Sequence, residues 1–204
     1  MIYDVYDNVL EPHVAELIDS QVRQCEWHWS SKSNSSHFPT KHWVLPMGQS
    51  KEEIIRKGYE WVLPIWEAAT VKYNFKEKYT VEDFGRVYMN GHTYGMTPHR
   101  HKDDGDFTMI YYPNLDWKIE WDGGTIIYGE EEDNDRDRDQ RHGLLPTKIE
   151  NIAEYKGNRL IVFDAYLPHQ AQPVSRECYE LRTCVVFKCN ISGSSRERLD
   201  FYKK

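Results

Sequence analysis

The apolar residues of this chain change their spacing near Tyr79, and that change limits the folds open to it. Before it, Leu10, Val14, Leu17, Ile18, Val22 and Cys25 form one α-helical stripe, with Pro12 near its start, where proline is tolerated. Residues 30–36 are polar and Ser-rich and read as a loop. A second stripe runs through Ile54, Ile55, Tyr59, Val62, Trp66 and Ala69, opened by Ser50-Lys51-Glu52-Glu53 in the form of a capping box. Pro64 is expected to kink or split that helix, because its ring clashes with the preceding turn. After Tyr79 the period falls to two. Segments 84–89, 107–112, 125–128, 160–163 and 181–188 read as strands, and 99–103, 145–149 and 169–172 as shorter ones. Such strands, punctuated by Gly, Pro and Asn-Gly, predict a mainly β chain: a barrel or jelly roll with N-terminal helices packed outside it. We expect one domain over 1–204, with 1–79 as helical support and 80–190 as the β core.

Composition removes several function classes. Hydrophobic residues make up 39% and aromatics 14%, enough for a sizeable core, so global disorder is excluded. No apolar run is long enough to span a bilayer, and the first seven residues carry two acids and no apolar core of a signal peptide. Cys25, Cys178, Cys184 and Cys189 form no CxxC pair, so reduced thiols and a cytoplasmic location are expected. Lys and Arg number 26 against 33 Asp and Glu, a net charge of -7 that disfavours nucleic acid as a partner. Residues 130–141 contain no apolar side chain and read as a solvated insertion between strands.

His92, His99 and His101 crowd into one stretch, and the last begins His101-Lys102-Asp103. On a strand, residues i and i+2 share a face, so His101 and Asp103 can aim an imidazole and a carboxylate at one point. His169, after the apolar segment 160–163, is the candidate third ligand. Two histidines and one carboxylate on one side of a metal are the arrangement of non-haem Fe(II) oxygenases. Histidines that are merely hydrogen-bonded are the alternative. Alternation puts Arg182 on one face with Cys184 and Val186, and Leu181, Thr183, Val185 and Phe187 on the other. Both faces are apolar, so Arg182 points into a partly dry interior and needs a carboxylate. Either a protein acid or a diacid ligand would supply it.

In order, Arg86-Val87-Tyr88-Met89-Asn90-Gly91, His101-Lys102-Asp103, the strand 107–112, Trp121-Asp122-Gly123-Gly124-Thr125, the segment 157–164, Pro168-His169-Gln170 and Arg182 resemble the 2-oxoglutarate/Fe(II)-dependent dioxygenase superfamily, and within it the prolyl 4-hydroxylase branch. The resemblance covers residues 80–190. It implies a double-stranded β-helix (a jelly-roll, cupin-like barrel) with His101, Asp103 and His169 as iron ligands. It implies that Arg182 pairs with the distal carboxylate of 2-oxoglutarate. Tyr88 and Tyr112 match tyrosines that hydrogen-bond the cosubstrate in the hypoxia-sensing members; plain core aromatics are the alternative.

The cofactors implied are Fe(II), 2-oxoglutarate and O2, with ascorbate in support. The reaction implied is hydroxylation of an unactivated C–H bond with release of succinate and CO2. A prolyl residue in a peptide or protein is the substrate class suggested; a free amino acid, small metabolite or nucleobase is the alternative, as is a non-catalytic jelly-roll binding module. Nucleic-acid demethylases carry a second Arg six residues after the first, where this chain has Lys188. His92 and His99 are expected to line the site mouth. Residues 30–36, flanked by Trp27, Trp29 and Trp43, are read as a mobile lid or as a surface loop with the tryptophans in the core.

Overall fold

The computed structural model describes residues 3–32, 41–79, 81–96, 98–129 and 148–191. Helix α1 (Pro12–Gln24) begins on its proline and buries Ala15, Ile18 and Val22. Leu17, on the same stripe, stays exposed. Helix α2 (Lys51–Arg56) is capped by Ser50, whose hydroxyl accepts the Glu53 N–H at 3.2 Å. The Glu53 carboxylate reaches back to the Gln49 N–H at 2.8 Å rather than closing the box on Ser50. Of the two outcomes expected at Pro64, the stripe is split rather than kinked. The proline sits in the first turn of a separate helix, α3 (Leu63–Glu67), where no N–H is needed. Helix α4 (Phe75–Tyr79) follows.

Three strands lie in the region expected to give helices and a loop: β1 (Tyr3–Asp7), β2 (His28–Lys32) and β3 (Lys41–Gly48). All sit towards the edges of a sheet, where pairing with a neighbour rather than an apolar alternation decides the conformation. The remaining strands are β4 (Val81–His92), β5 (Phe107–Tyr112), β6 (Thr125–Tyr128), β7 (Ile149–Ala153), β8 (Arg159–Asp164), β9 (His169–Ala171) and β10 (Arg182–Ile191). They form a seven-stranded sheet in the order β1-β8-β5-β10-β4-β3-β2 and a three-stranded sheet β7-β6-β9. Every pairing is antiparallel. This is the jelly-roll architecture the alternation predicts.

Two corrections concern strand limits. β4 runs through Asn90-Gly91 instead of turning there, paired with β10 and β3 on its two sides; the glycine leaves room for Trp43 and Leu181, which a Cβ would meet at 3.1–3.2 Å. Residues 99–103 form no strand; His101 alone makes a bridge, exchanging 2.9 Å backbone hydrogen bonds with His169 in both directions. The insertion 130–141, residues 33–36 of the Ser-rich segment and most of the expected strand 145–149 lie outside the described residues. Trp29 is exposed and packs on half-buried Trp43 at 5.0 Å, so neither belongs to a fully buried core.

Alternation on the central strands divides the interior in two. Phe107, Met109 and Tyr111 of β5, Leu160 and Val162 of β8, and Val185, Phe187 and Cys189 of β10 join the helices in one core. Ile110, Tyr112, Ile161, Phe163, Cys184 and Val186 point the other way, against Ile127, Ala153 and Tyr155 beneath the small sheet. The opening between the two sheets holds the polar residues.

Candidate active site

A cavity of about 500 Å³ lies between the sheets, lined along one wall by Tyr88, Asn90 and His92 of β4 and, beside them, Arg182, Cys184 and Val186 of β10. His101, Asp103, His169, Thr108 and Thr125 complete it. The residues that sequence reasoning selected for metal binding therefore share one space with Arg182.

His101, Asp103 and His169 each direct one ligand atom into a group whose members lie within 4.8 Å of one another. The backbone bridge between residues 101 and 169 sets two of them side by side, and the Asp103 N–H bonded to the Ala165 carbonyl at 2.8 Å fixes the third. Those two backbone contacts, rather than a continuous strand through 99–103, hold His101 and Asp103 in place. In each histidine Nδ1 lies 2.8 Å from a backbone carbonyl, of His99 for His101 and of Leu167 for His169. That contact assigns the proton to Nδ1 and leaves the Nε2 lone pair facing inward. The two Nε2 atoms lie 3.5 and 3.1 Å from Oδ1 and Oδ2 of Asp103. Lone pairs facing carboxylate oxygens at these distances repel unless a proton or a cation sits among them. The donor set, two nitrogens and an oxygen, suits a divalent transition metal with open positions.

Burial opposes a charge on His169 and holds its imidazole below the usual range. At His101 burial pulls the same way, but the hydrogen bond and charge of Asp103 outweigh it and the group ends above its ordinary value. Burial also opposes the Asp103 carboxylate, yet Lys188 and the two imidazoles hold it well below the usual carboxylate range.

Arg182 is 1% exposed. Among the described residues no carboxylate pairs with it, and none of their salt bridges accounts for its burial. Its Nε donates to the Gly123 carbonyl, and Nη2 lies 3.4 Å from that of Gly124. Gly123 has φ of 81°, and an added Cβ there would press on Trp117 and on the Arg182 stem, so the glycine both permits the turn and leaves room for the guanidinium. Nη1 faces His92 Nδ1 at 3.4 Å and Cys184 Sγ at 3.6 Å.

His92 is the β4 register partner of Arg182 and is buried against it, deep in the cavity rather than at its mouth. Burial first, then the Arg182 charge, keeps its imidazole well below the usual range and neutral. Its ring stacks on His42 at 5.3 Å. His99 lines the cavity, as expected.

The two tyrosines part company. Tyr88, on β4, lines the cavity, and burial raises its phenol well above the ordinary value. Tyr112 is fully buried, donates its hydroxyl to Thr125 at 2.7 Å and lies with its ring 5.7 Å from the Arg182 guanidinium. The residues missed were Thr108, Thr125 and Lys188. Lys188 was legible, because alternation on β10 puts it on the same face as Arg182.

No family model matches the chain, and no curated protein matches it in sequence. Solved structures match it in fold. A prolyl hydroxylase from Trichoplax adhaerens, in complex with a hypoxia inducible factor oxygen degradation domain peptide fragment, is 14% identical with a TM-score of 0.58, covering 92% of this chain and 83% of that one. A 2OG-Fe(II) oxygenase family oxidoreductase from Burkholderia pseudomallei gives 11% identity and a TM-score of 0.62, covering 92% and 84%. HygX from Streptomyces hygroscopicus, with nickel, 2-oxoglutarate and hygromycin B bound, gives 10% and 0.59, covering 93% and 83%. The fold is therefore that of 2-oxoglutarate/Fe(II) oxygenases, prolyl hydroxylases among them.

Proposed function

We propose that this chain is a 2-oxoglutarate- and Fe(II)-dependent dioxygenase that hydroxylates an unactivated C–H bond, with a prolyl residue of a peptide or protein as its substrate. The observation that carries the reading is a buried guanidinium that no carboxylate of the described residues pairs, at one part of a cavity whose other part holds two imidazole lone pairs and a carboxylate. A diacid that chelates a metal with one end and meets Arg182 with the other satisfies both.

His101, Asp103 and His169 would hold the metal. Ferrous iron, with 2-oxoglutarate and O2, supplies oxidative decarboxylation to succinate and CO2 coupled to hydroxylation of the substrate. Arg182 fixes the far carboxylate by a charge-assisted pair, which selects a diacid by reach. Its contacts to the Gly123 and Gly124 carbonyls hold the guanidinium in place beforehand. The Nδ1 contacts of His101 and His169 keep both imidazoles in the ligating tautomer, and the apolar wall of Ile110, Cys184 and Val186 excludes water. Tyr88 would face the cosubstrate; Tyr112 would act on it only by holding Thr125 and the Arg182 side chain.

The prolyl assignment draws on the order of motifs and on the peptide-bound Trichoplax hydroxylase of the same fold. Among the described residues no helix is long and apolar enough to cross a membrane. The test is succinate release with Fe(II) and 2-oxoglutarate across a panel of prolyl peptides, small amines, sugars and methylated DNA. Each product is weighed for a gain of one oxygen. Oxygen gained by a prolyl peptide supports the full reading, oxygen gained only by another class replaces the substrate, and no stimulated succinate release refutes the activity.

A further inference from the structure

Lys188 stands on β10, three alternations beyond Arg182 on the same inner face, and is 4% exposed. Its register partner on β5 is Thr108. Lys188 Nζ donates to Thr108 Oγ1 at 3.0 Å and contacts Oδ2 of Asp103. Thr108 donates its hydroxyl to the same Oδ2 at 2.7 Å. The β5–β10 pairing thus brings an ammonium and a hydroxyl to one oxygen of the carboxylate, Oδ2, which also lies 3.1 Å from Nε2 of His169, while Oδ1 faces His101. A buried ammonium is retained only where an opposite charge meets it, and Asp103 is the carboxylate in contact with it.

We propose that Lys188 is a positioning residue that sets the charge of the metal centre, an inference that rests on the function proposed above. It occupies Oδ2 of Asp103, so the carboxylate offers a divalent cation one oxygen and the remaining positions stay open to the cosubstrate. It also answers the negative charge of Asp103. The bound ion's double charge is then left for an anionic chelator to meet. Lys188 thereby weakens the binding of metal alone and strengthens the binding of 2-oxoglutarate to the metal-loaded protein. A lysine that only propped Asp103 in place would strengthen both.

Two binding constants separate these roles without turnover: Mn(II) affinity, from the electron paramagnetic resonance signal of free Mn(II), and 2-oxoglutarate affinity for the Mn(II)-loaded protein, by calorimetry. Lys188→Met should bind Mn(II) about tenfold tighter and 2-oxoglutarate about tenfold more weakly, since one unit charge a few ångströms from the ion is removed. Lys188→Arg, which keeps the charge, should return both constants toward wild type. Affinities that fall together, or that do not move, overturn the inference while leaving the proposed function standing. A wild-type protein that binds neither Mn(II) nor 2-oxoglutarate overturns both. Should the Met variant fail to fold, Lys188→Gln, which can still hydrogen-bond Thr108, carries the same expectation of opposite shifts.

Discussion

Nε2 of His169 lies 3.1 Å from Oδ2 of Asp103, and the hydrogen-bond network puts the imidazole proton on the other nitrogen, against the Leu167 carbonyl. Burial keeps that ring neutral, so the contact sets a lone pair against a carboxylate oxygen. His101 repeats the geometry, with Nδ1 against the His99 carbonyl and Nε2 3.5 Å from Oδ1 of Asp103, but there the charge of Asp103 raises the imidazole above its ordinary value. A cation among the three relieves the repulsion.

His101→Ala removes one of the three proposed ligands at a half-buried position, so the fold should survive. Metal binding and metal-dependent succinate formation should both be lost, read by Mn(II) titration and turnover beside a thermal melt close to wild type. Near-normal succinate formation would reject the ligand assignment.

Arg182→Ala should raise the 2-oxoglutarate concentration for half-saturation by about ten- to a hundredfold, the worth of a hydrogen bond to a charged group at ~1.5–3 kcal/mol. Mn(II) affinity should stay near wild type, because Arg182 makes no contact with the three ligands. An unchanged half-saturation concentration contradicts the role given to this residue.

Much of this was legible in the sequence. Segments 107–112 and 125–128 coincide with β5 and β6, because strands buried on both faces carry their signal in composition and length. The inward face of Arg182 followed from alternation on β10; spacing made His101 and Asp103 candidates, and the full set with His169 is what the resemblance implies. β1, β2 and β3 were not legible, since partners distant in sequence create them: β1 by pairing with β8, β3 with β4. Likewise His92 reaches Arg182 only through the β4–β10 register, and the backbone contacts that hold His101 and Asp103, with His169 and Ala165, are encoded by no local pattern. Lys188 was visible on the inner face, but its bond to Thr108 needs the β5–β10 pairing.

Asn158 supports the strand that precedes the site from a left-handed backbone, φ 59°. Its side chain accepts the Leu10 N–H at 2.9 Å and donates to the Leu10 carbonyl at 2.8 Å, both buried. Asn158→Ala strands both groups and forces alanine into an unfavourable φ, so a loss of about 2–4 kcal/mol is expected. Thermal unfolding should show a midpoint lower by roughly 5–15 °C for a chain of this size. An unchanged midpoint contradicts the role assigned to those hydrogen bonds.

Asp7 ties β1 to β8. Its hydrogen bonds with Arg159, at 2.6 Å to Nε, lower its pKa from 3.8 to about 2 despite partial burial, with Lys156 assisting. A carboxylate depressed on folding contributes stability that is present above its unfolded pKa and lost as pH falls through the folded one. The wild type should therefore exceed Asp7→Asn at neutral pH, and the gap should close between pH 3.8 and about 2. The side chain is 35% exposed, so solvent screening limits the gap to less than about 1 kcal/mol. Denaturant titrations at several pH values check it; a gap that widens on acidification would contradict the assignment.

The central claim is that His101, Asp103, His169 and Arg182 form one site for ferrous iron and 2-oxoglutarate. It is tested most directly by adding both anaerobically and recording the visible spectrum. A charge-transfer band that needs both components, vanishes in His101→Ala and requires more 2-oxoglutarate in Arg182→Ala is the expected result. A wild-type protein that gives no band at any concentration of the two would contradict the account.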